Sequence, residues 1–166
     1  MPTDFLSLLQ RDHVDLQNEL TRLLDPDATV SQLRSALDGV RLGLTAHAEA
    51  EDIVLGRFVG MAALEMLVAQ ARAAHLSQEG ALSALVSARA GTTAWRDRAR
   101  RLRELVQYHA LQEEQLLLPA LRLHAPRAYD LLAGQFATER LRQLAMLQPS
   151  APIYITDLAK SEMQFS

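Results

Sequence analysis

Cysteine is absent from the chain, which excludes disulfides, thiolate-held zinc, iron-sulfur clusters and thiol redox catalysis by its own residues. Any redox chemistry must therefore use a bound metal or cofactor. Aromatic residues are scarce, at 5% against 49% hydrophobic overall. The apolar mass is Leu and Ala, which lose little rotamer freedom in a helix, so an all-α fold is expected. Neither sign of charge dominates: 17 basic residues face 20 acidic ones, for a formal net charge of −3. That balance lacks the electrostatic footprint of a nucleic-acid or membrane-surface binder. No stretch approaches the roughly 18 apolar residues of a membrane helix. Met1 to Leu9 has no basic segment followed by an apolar run and a cleavage site. These features predict a soluble, cytoplasmic protein without nucleic-acid or membrane partners. At 166 residues a single domain can bury a sizeable core.

Apolar residues recur at steps of three and four along four segments. The first, capped by Thr3 or Asp4, runs Phe5, Leu9, His13, Leu16, Leu20, Leu23 and ends at the Asp25-Pro26-Asp27 turn. The second, capped by Ser31, carries Leu33, Leu37, Val40, Leu44, His47, Glu51, Val54 and Phe58. The third follows Gly60 with Met61, Leu64, Val68, Ala71, His75, Leu82 and Val86, and stops near Ala90-Gly91. The fourth, capped by Thr92 or Thr93, carries Trp95, Ala99, Leu102, Val106, His109, Glu113 and Leu116, with a kink predicted at Pro119. A fifth amphipathic segment spans about 126 to 147. Short connections make consecutive helices antiparallel, which predicts an up-down-up-down four-helix bundle with an additional C-terminal helix. The bundle domain covers 1–148. Residues 149–166 break the pattern with two prolines and an alternating Ile-Tyr-Ile; they read as a short non-helical tail, either a frayed or surface-packed terminus or a docking segment for a protein partner.

Polar residues interrupt these stripes in a repeated way. His13, His47 and Glu51 recur as His75, His109 and Glu113, all three displaced along the chain by one constant interval, so the two histidines are equally spaced within each half. In both halves a glutamate also falls at the fourth position after the second histidine, an agreement that chance placement does not readily give. A His and a Glu at i and i+4 project from one helix face about one turn apart, where imidazole and carboxylate can reach the same or neighbouring ions. Without a metal, four imidazoles and two carboxylates on inner seams would cost on the order of 10 kcal/mol, comparable with the stability of a whole domain. A dinuclear metal site removes that conflict. Imidazole and carboxylate donors suit iron, and manganese or zinc less well. None of the five histidines has Glu three residues before it, which disfavours the Glu-x-x-His pattern of ferritin-like centres.

His13, the run HAEAED from His47 to Asp52, His75 and the run HALQEEQLLLP from His109 to Pro119 resemble the hemerythrin-like, or HHE cation-binding, family across nearly all of the four-helix region. The resemblance implies a non-haem, oxo- or hydroxo-bridged centre of two Fe ions: His13 and His47 on one iron, His75 and His109 on the other, Glu51 and Glu113 bridging. Oxygen-carrying members have HxxxH on the third helix, whereas here Glu79 stands in the fifth histidine's place. Glu79 is therefore a seventh candidate ligand. If it binds, the His75/His109 iron is filled and the His13/His47 iron keeps the open position. If it does not, both are open. The family implies O2, peroxide or nitric oxide as the small ligand, with redox or peroxide reactivity or oxygen and iron sensing. Its other known roles are iron handling, iron-sulfur repair and reversible oxygen binding. Asp52 and Glu114, each following a bridging glutamate, are expected to point outward or to support the ligands. His124, in the last turn before Pro126, is expected to meet free carbonyls at the helix end, and the basic run from Arg96 to Arg103, interspersed with Asp97 and followed by Glu104, reads as a solvated helix face.

Overall fold

A computed structural model describes residues 3–148 of the chain; the tail, 149–166, lies outside the described residues. The helices are α1 (Phe5–Arg22), α2 (Val30–Leu55), α3 (Ala62–Val86), α4 (Thr93–Gln112), α5 (Leu118–His124) and α6 (Pro126–Leu147). A short 3-10 turn, Gly56–Phe58, follows α2, and a π-helical turn, Glu113–Leu117, joins α4 to α5. Helices α1 to α4 form a closed ring in which each packs on the next and α4 returns to α1. The additional helix, α6, packs chiefly on α2, with smaller contacts to α1 and α5.

Local sequence sets the helix starts. Asp4 accepts the Ser7 amide at the head of α1, and Thr92 accepts the Trp95 amide at the head of α4. The cap of α2 lies two positions before the expected Ser31. There Thr29 and Gln32 form a reciprocal capping box that satisfies two otherwise orphaned amide donors. At the far end of the bundle the Trp95 indole donates to the Leu23 carbonyl at 2.8 Å, occupying one of the free carbonyls at the C-terminus of α1. At the near end Arg122 of α5 and Tyr129 of α6 both donate to Asp4 Oδ1, at 2.7 and 3.0 Å. One carboxylate thus caps α1 and holds the two C-terminal helices to it.

Buried apolar residues form two clusters rather than one. Phe5, Leu9, Val54, Phe58, Leu64, Leu118 and Phe136 belong to the near one, and Leu20, Val40, Leu85, Trp95 and Leu102 to the far one. His13, His47, His75, His109 and Glu113 fall in sequence between the two sets on their own helices, Glu51 lies at the edge of the near set between Ala50 and Val54, and all six are buried. The core is therefore apolar, polar, apolar along the bundle axis.

Two inner-face expectations shift. Along α3 the buried positions run Leu64, Val68, Ala71, His75, Gln78, Leu85, alternating steps of four and three as a supercoiled seam requires. Leu82 is half-buried on this line, while Val86 is exposed. Along α4 the seam reaches Glu113, where the expected next position, Leu116, is 53% exposed and Leu117 is buried instead. The cause is the π turn: the Leu118 amide donates back to the Glu113 carbonyl, one position further than in an α-helix, and the extra residue rotates the following side chains. Pro119, which has no amide to donate, falls in the first turn of α5.

Candidate metal centre

The four repeated histidines and two glutamates meet in the polar layer. His13, from α1, and His47, from α2, have ring centroids 5.1 Å apart. His75, from α3, and His109, from α4, are 4.7 Å apart, with their Nε2 atoms separated by 3.0 Å. Glu51 Oε2 lies 2.8 Å from His75 Nε2 and 3.7 Å from the Nε2 atoms of His47 and His109. Glu113 Oε1 lies 2.9 Å from His109 Nε2 and 3.5 Å from His13 Nε2. Each glutamate therefore reaches histidines of both halves. Two groups of donor atoms, each drawn together within 4.8 Å, are able to hold a metal ion: His13, His47, Glu51 and Glu113, and Glu51, His75 and His109. Glu51 is common to both.

Three of the four outer ring nitrogens are bound to carboxylates. His13 Nδ1 is 3.0 Å from Glu114 Oε1, and His75 Nδ1 is 2.8 Å from Asp52 Oδ1. His47 Nδ1 is hydrogen bonded to Asp12 Oδ2. A carboxylate on Nδ1 fixes that nitrogen as the donor and turns the Nε2 lone pair inward. The repeat explains two of these partners, because Asp52 and Glu114 are separated by the same interval as the glutamates they follow, and each is paired with a histidine of the opposite half. Asp12 has no such counterpart, since Ala74 stands at its repeat position, just before His75. The sequence signal for Asp12 was its place three positions after Leu9 on the inner seam of α1, masked by the adjacent His13.

Inward-facing donor atoms are left without partners. His13 Nε2, Glu51 Oε1 and Glu113 Oε2 are buried with no hydrogen bond. Such atoms cost about 1 to 3 kcal/mol each unless a ligand satisfies them. The residues present thus fit a metal-bearing site. In the metal-free chain protons occupy that role. Burial opposes charging of the imidazoles, yet the facing carboxylates outweigh it, and His13, His75 and His109 rise to about 9, 10 and 9. Glu51 is fully buried, which disfavours its charge, but the surrounding histidines hold its carboxyl well below the ordinary range.

Glu79 is not brought into this cluster. It is exposed and lines a groove of about 190 Å³ between α2 and α3, with Glu49, Asp52 and one side of His75. The four-three seam of α3 places Gln78 inside after His75, at 3% exposure, so Glu79 turns toward solvent. The HxxxE spacing brings a carboxylate into the cluster from α2 and from the end of α4 and not from α3. His124 is exposed, as are Arg96, Arg98, Arg100 and Arg101, with Arg103 half-buried.

A four-helix bundle with an imidazole and carboxylate layer across its core defines the class of helical metal-centre proteins. Within it, the family model described as hemerythrin HHE cation binding domain matches residues 4–121. The chain belongs to that family. No curated protein and no solved structure matches it significantly.

Proposed function

We propose that the chain is a di-iron protein that reacts with a small oxidant or diatomic ligand, O2, peroxide or nitric oxide, by redox chemistry rather than by reversible carriage. In this reading His13 and His47 would hold one iron and His75 and His109 the other, with Glu51 and Glu113 shared between them. The observation that carries the di-iron reading is the set of unpartnered donor atoms converging on one layer, with three of the four histidines fixed from outside by carboxylates; what sets it against reversible carriage is that Glu79, in the place of the oxygen carriers' fifth histidine, is exposed. Iron bound there would supply one-electron chemistry and open coordination positions for the small ligand. The protein's part is to hold and exclude. The two apolar clusters keep bulk water from the layer, Asp12, Asp52 and Glu114 hold the rings, and the glutamates balance the metal charge. With Glu79 turned outward, the His75/His109 position has no donor in place of the oxygen carriers' fifth histidine, which leaves room for an exogenous ligand.

The test is to load the protein anaerobically with ferrous iron, then add hydrogen peroxide or dioxygen and follow the near-ultraviolet and visible spectrum. The expected result is oxidation to a coloured ferric form that azide shifts and deoxygenation does not reverse. A spectrum that returns cleanly on removing dioxygen would establish reversible carriage instead.

A further inference from the structure

The matched family region ends at Leu121, before α6 begins at Pro126. Yet α6 reaches the metal layer. Phe136 and Arg140, one helical turn apart, share the helix face that packs on α1 and α2. The Phe136 ring, fully buried, meets the His47 imidazole edge to face at 5.5 Å. Arg140 Nε lies 3.1 Å from Asp12 Oδ1, and the other oxygen of that carboxylate is bonded to His47 Nδ1. Both acceptor and ring in this chain of contacts are sheltered, Asp12 being only 7% exposed and His47 3%.

The other half of the duplicated site has no equivalent of this arrangement. His109 is the repeat partner of His47. Ala74 occupies the place of Asp12, and His109 Nδ1 has no carboxylate partner among the described residues. Six donors and the Asp52 and Glu114 pair obey the repeat; Asp12, Arg140 and Phe136 break it.

We propose that α6 is a working part of the centre: Arg140, acting through Asp12, is a positioning residue for His47 and makes the two metal positions unequal, the His13/His47 position binding the more tightly. The inference rests on the metal reading above. A buried carboxylate on the outer nitrogen raises a histidine's basicity as a ligand and fixes its ring, and removing such support lowers metal affinity by about 10 to 100-fold. Arg140 supplies the opposite charge that holds the Asp12 carboxylate in place and keeps it aimed at His47. The Phe136 face stops the ring from turning away.

Two readouts on Arg140→Gln test this, with Arg142→Gln, an exposed position on the same helix, as control and Arg140→Lys as the conservative variant. In metal-free protein, the side-chain NMR signal of the His47 Nδ1 proton should shift and exchange faster in R140Q while that of His75 stays in place. R142Q should leave both unchanged, and R140K should recover most of the His47 signal. In anaerobic cobalt(II) titrations, one of the two equivalents should weaken by about tenfold or more in R140Q, the other holding its affinity. An unchanged His47 signal, or equal disturbance of His47 and His75, would overturn the role of Arg140. Failure of the wild-type chain to bind cobalt would instead count against the metal reading, and the NMR comparison still decides what Arg140 does. If R140Q does not fold, Arg140→Met, uncharged and of similar length, gives the same comparison, with faster exchange of the His47 proton alone as the expected result and an unchanged one as the contrary.

Discussion

Four imidazoles and two carboxylates shut away from water must share cations, and in the metal-free chain those cations are protons. The raised values of His13, His75 and His109, about 9, 10 and 9, give that statement a sign. A folded-state value above the unfolded one contributes stability that is fully present below about 6.5 and is lost as pH rises through the folded values. Glu51, held low, contributes stability above about 4.5 that is lost on acidification. The metal-free protein should therefore be most stable between about pH 4.5 and 6.5 and weaken steadily toward pH 10. Urea unfolding of chelator-treated protein across that range checks it, and stability that stays level or rises from neutral pH to 10 would contradict it. Metal affinity should climb over the same alkaline window, since each ion displaces protons. At this scale the sequence was informative about the donors themselves, because duplication made them conspicuous. It gave Asp12 only a place on the inner seam of α1, three positions after Leu9 and beside His13, while its contacts with His47 of α2 and Arg140 of α6 are encoded by no spacing along α1.

Helix geometry decides which of two neighbouring residues faces the site. On α3 the seam alternates four and three, so Gln78 rather than Glu79 follows His75 inward. The sequence offered a glutamate at the helical spacing that works on α2 and α4, and the phase of the four-three seam separates the cases: the step after His47 and His109 is four, the step after His75 three. On α4 the π turn performs a comparable substitution, turning Leu117 inward for Leu116. Its only advance sign was Pro119, read as a kink. Two glycines illustrate the same dependence on local geometry. Gly80 lies within α3 with open space where a Cβ would stand, so Gly80→Ala should stabilise the fold by about 0.5 to 1 kcal/mol. Gly91 sits at φ +79° in the turn between α3 and α4, a conformation that L side chains rarely adopt, so Gly91→Ala should destabilise by about 1 kcal/mol. Thermal or denaturant melting distinguishes the two directions, and equal effects would mean that the turn is not held as described.

Across the whole molecule, a repeated helical hairpin builds a symmetric donor layer between two apolar clusters, and a helix outside the repeat breaks the symmetry. The bundle, its helix order and the meeting of the six donors follow from apolar periodicity and from the constant displacement of the second half's ligands from the first's. The docking of α6 onto α2 does not, because an amphipathic stripe states that a face is buried without naming what covers it. That the two halves form a single centre rests on Glu51 and Glu113 each reaching across. The most direct measurement is therefore metal content per chain, by elemental mass spectrometry, of wild type and Glu79→Gln purified without added metal. Two irons per chain, about equally in both proteins, is the predicted result. Only traces of transition metal, persisting after anaerobic addition of ferrous iron, or loss of iron in Glu79→Gln alone, would contradict it.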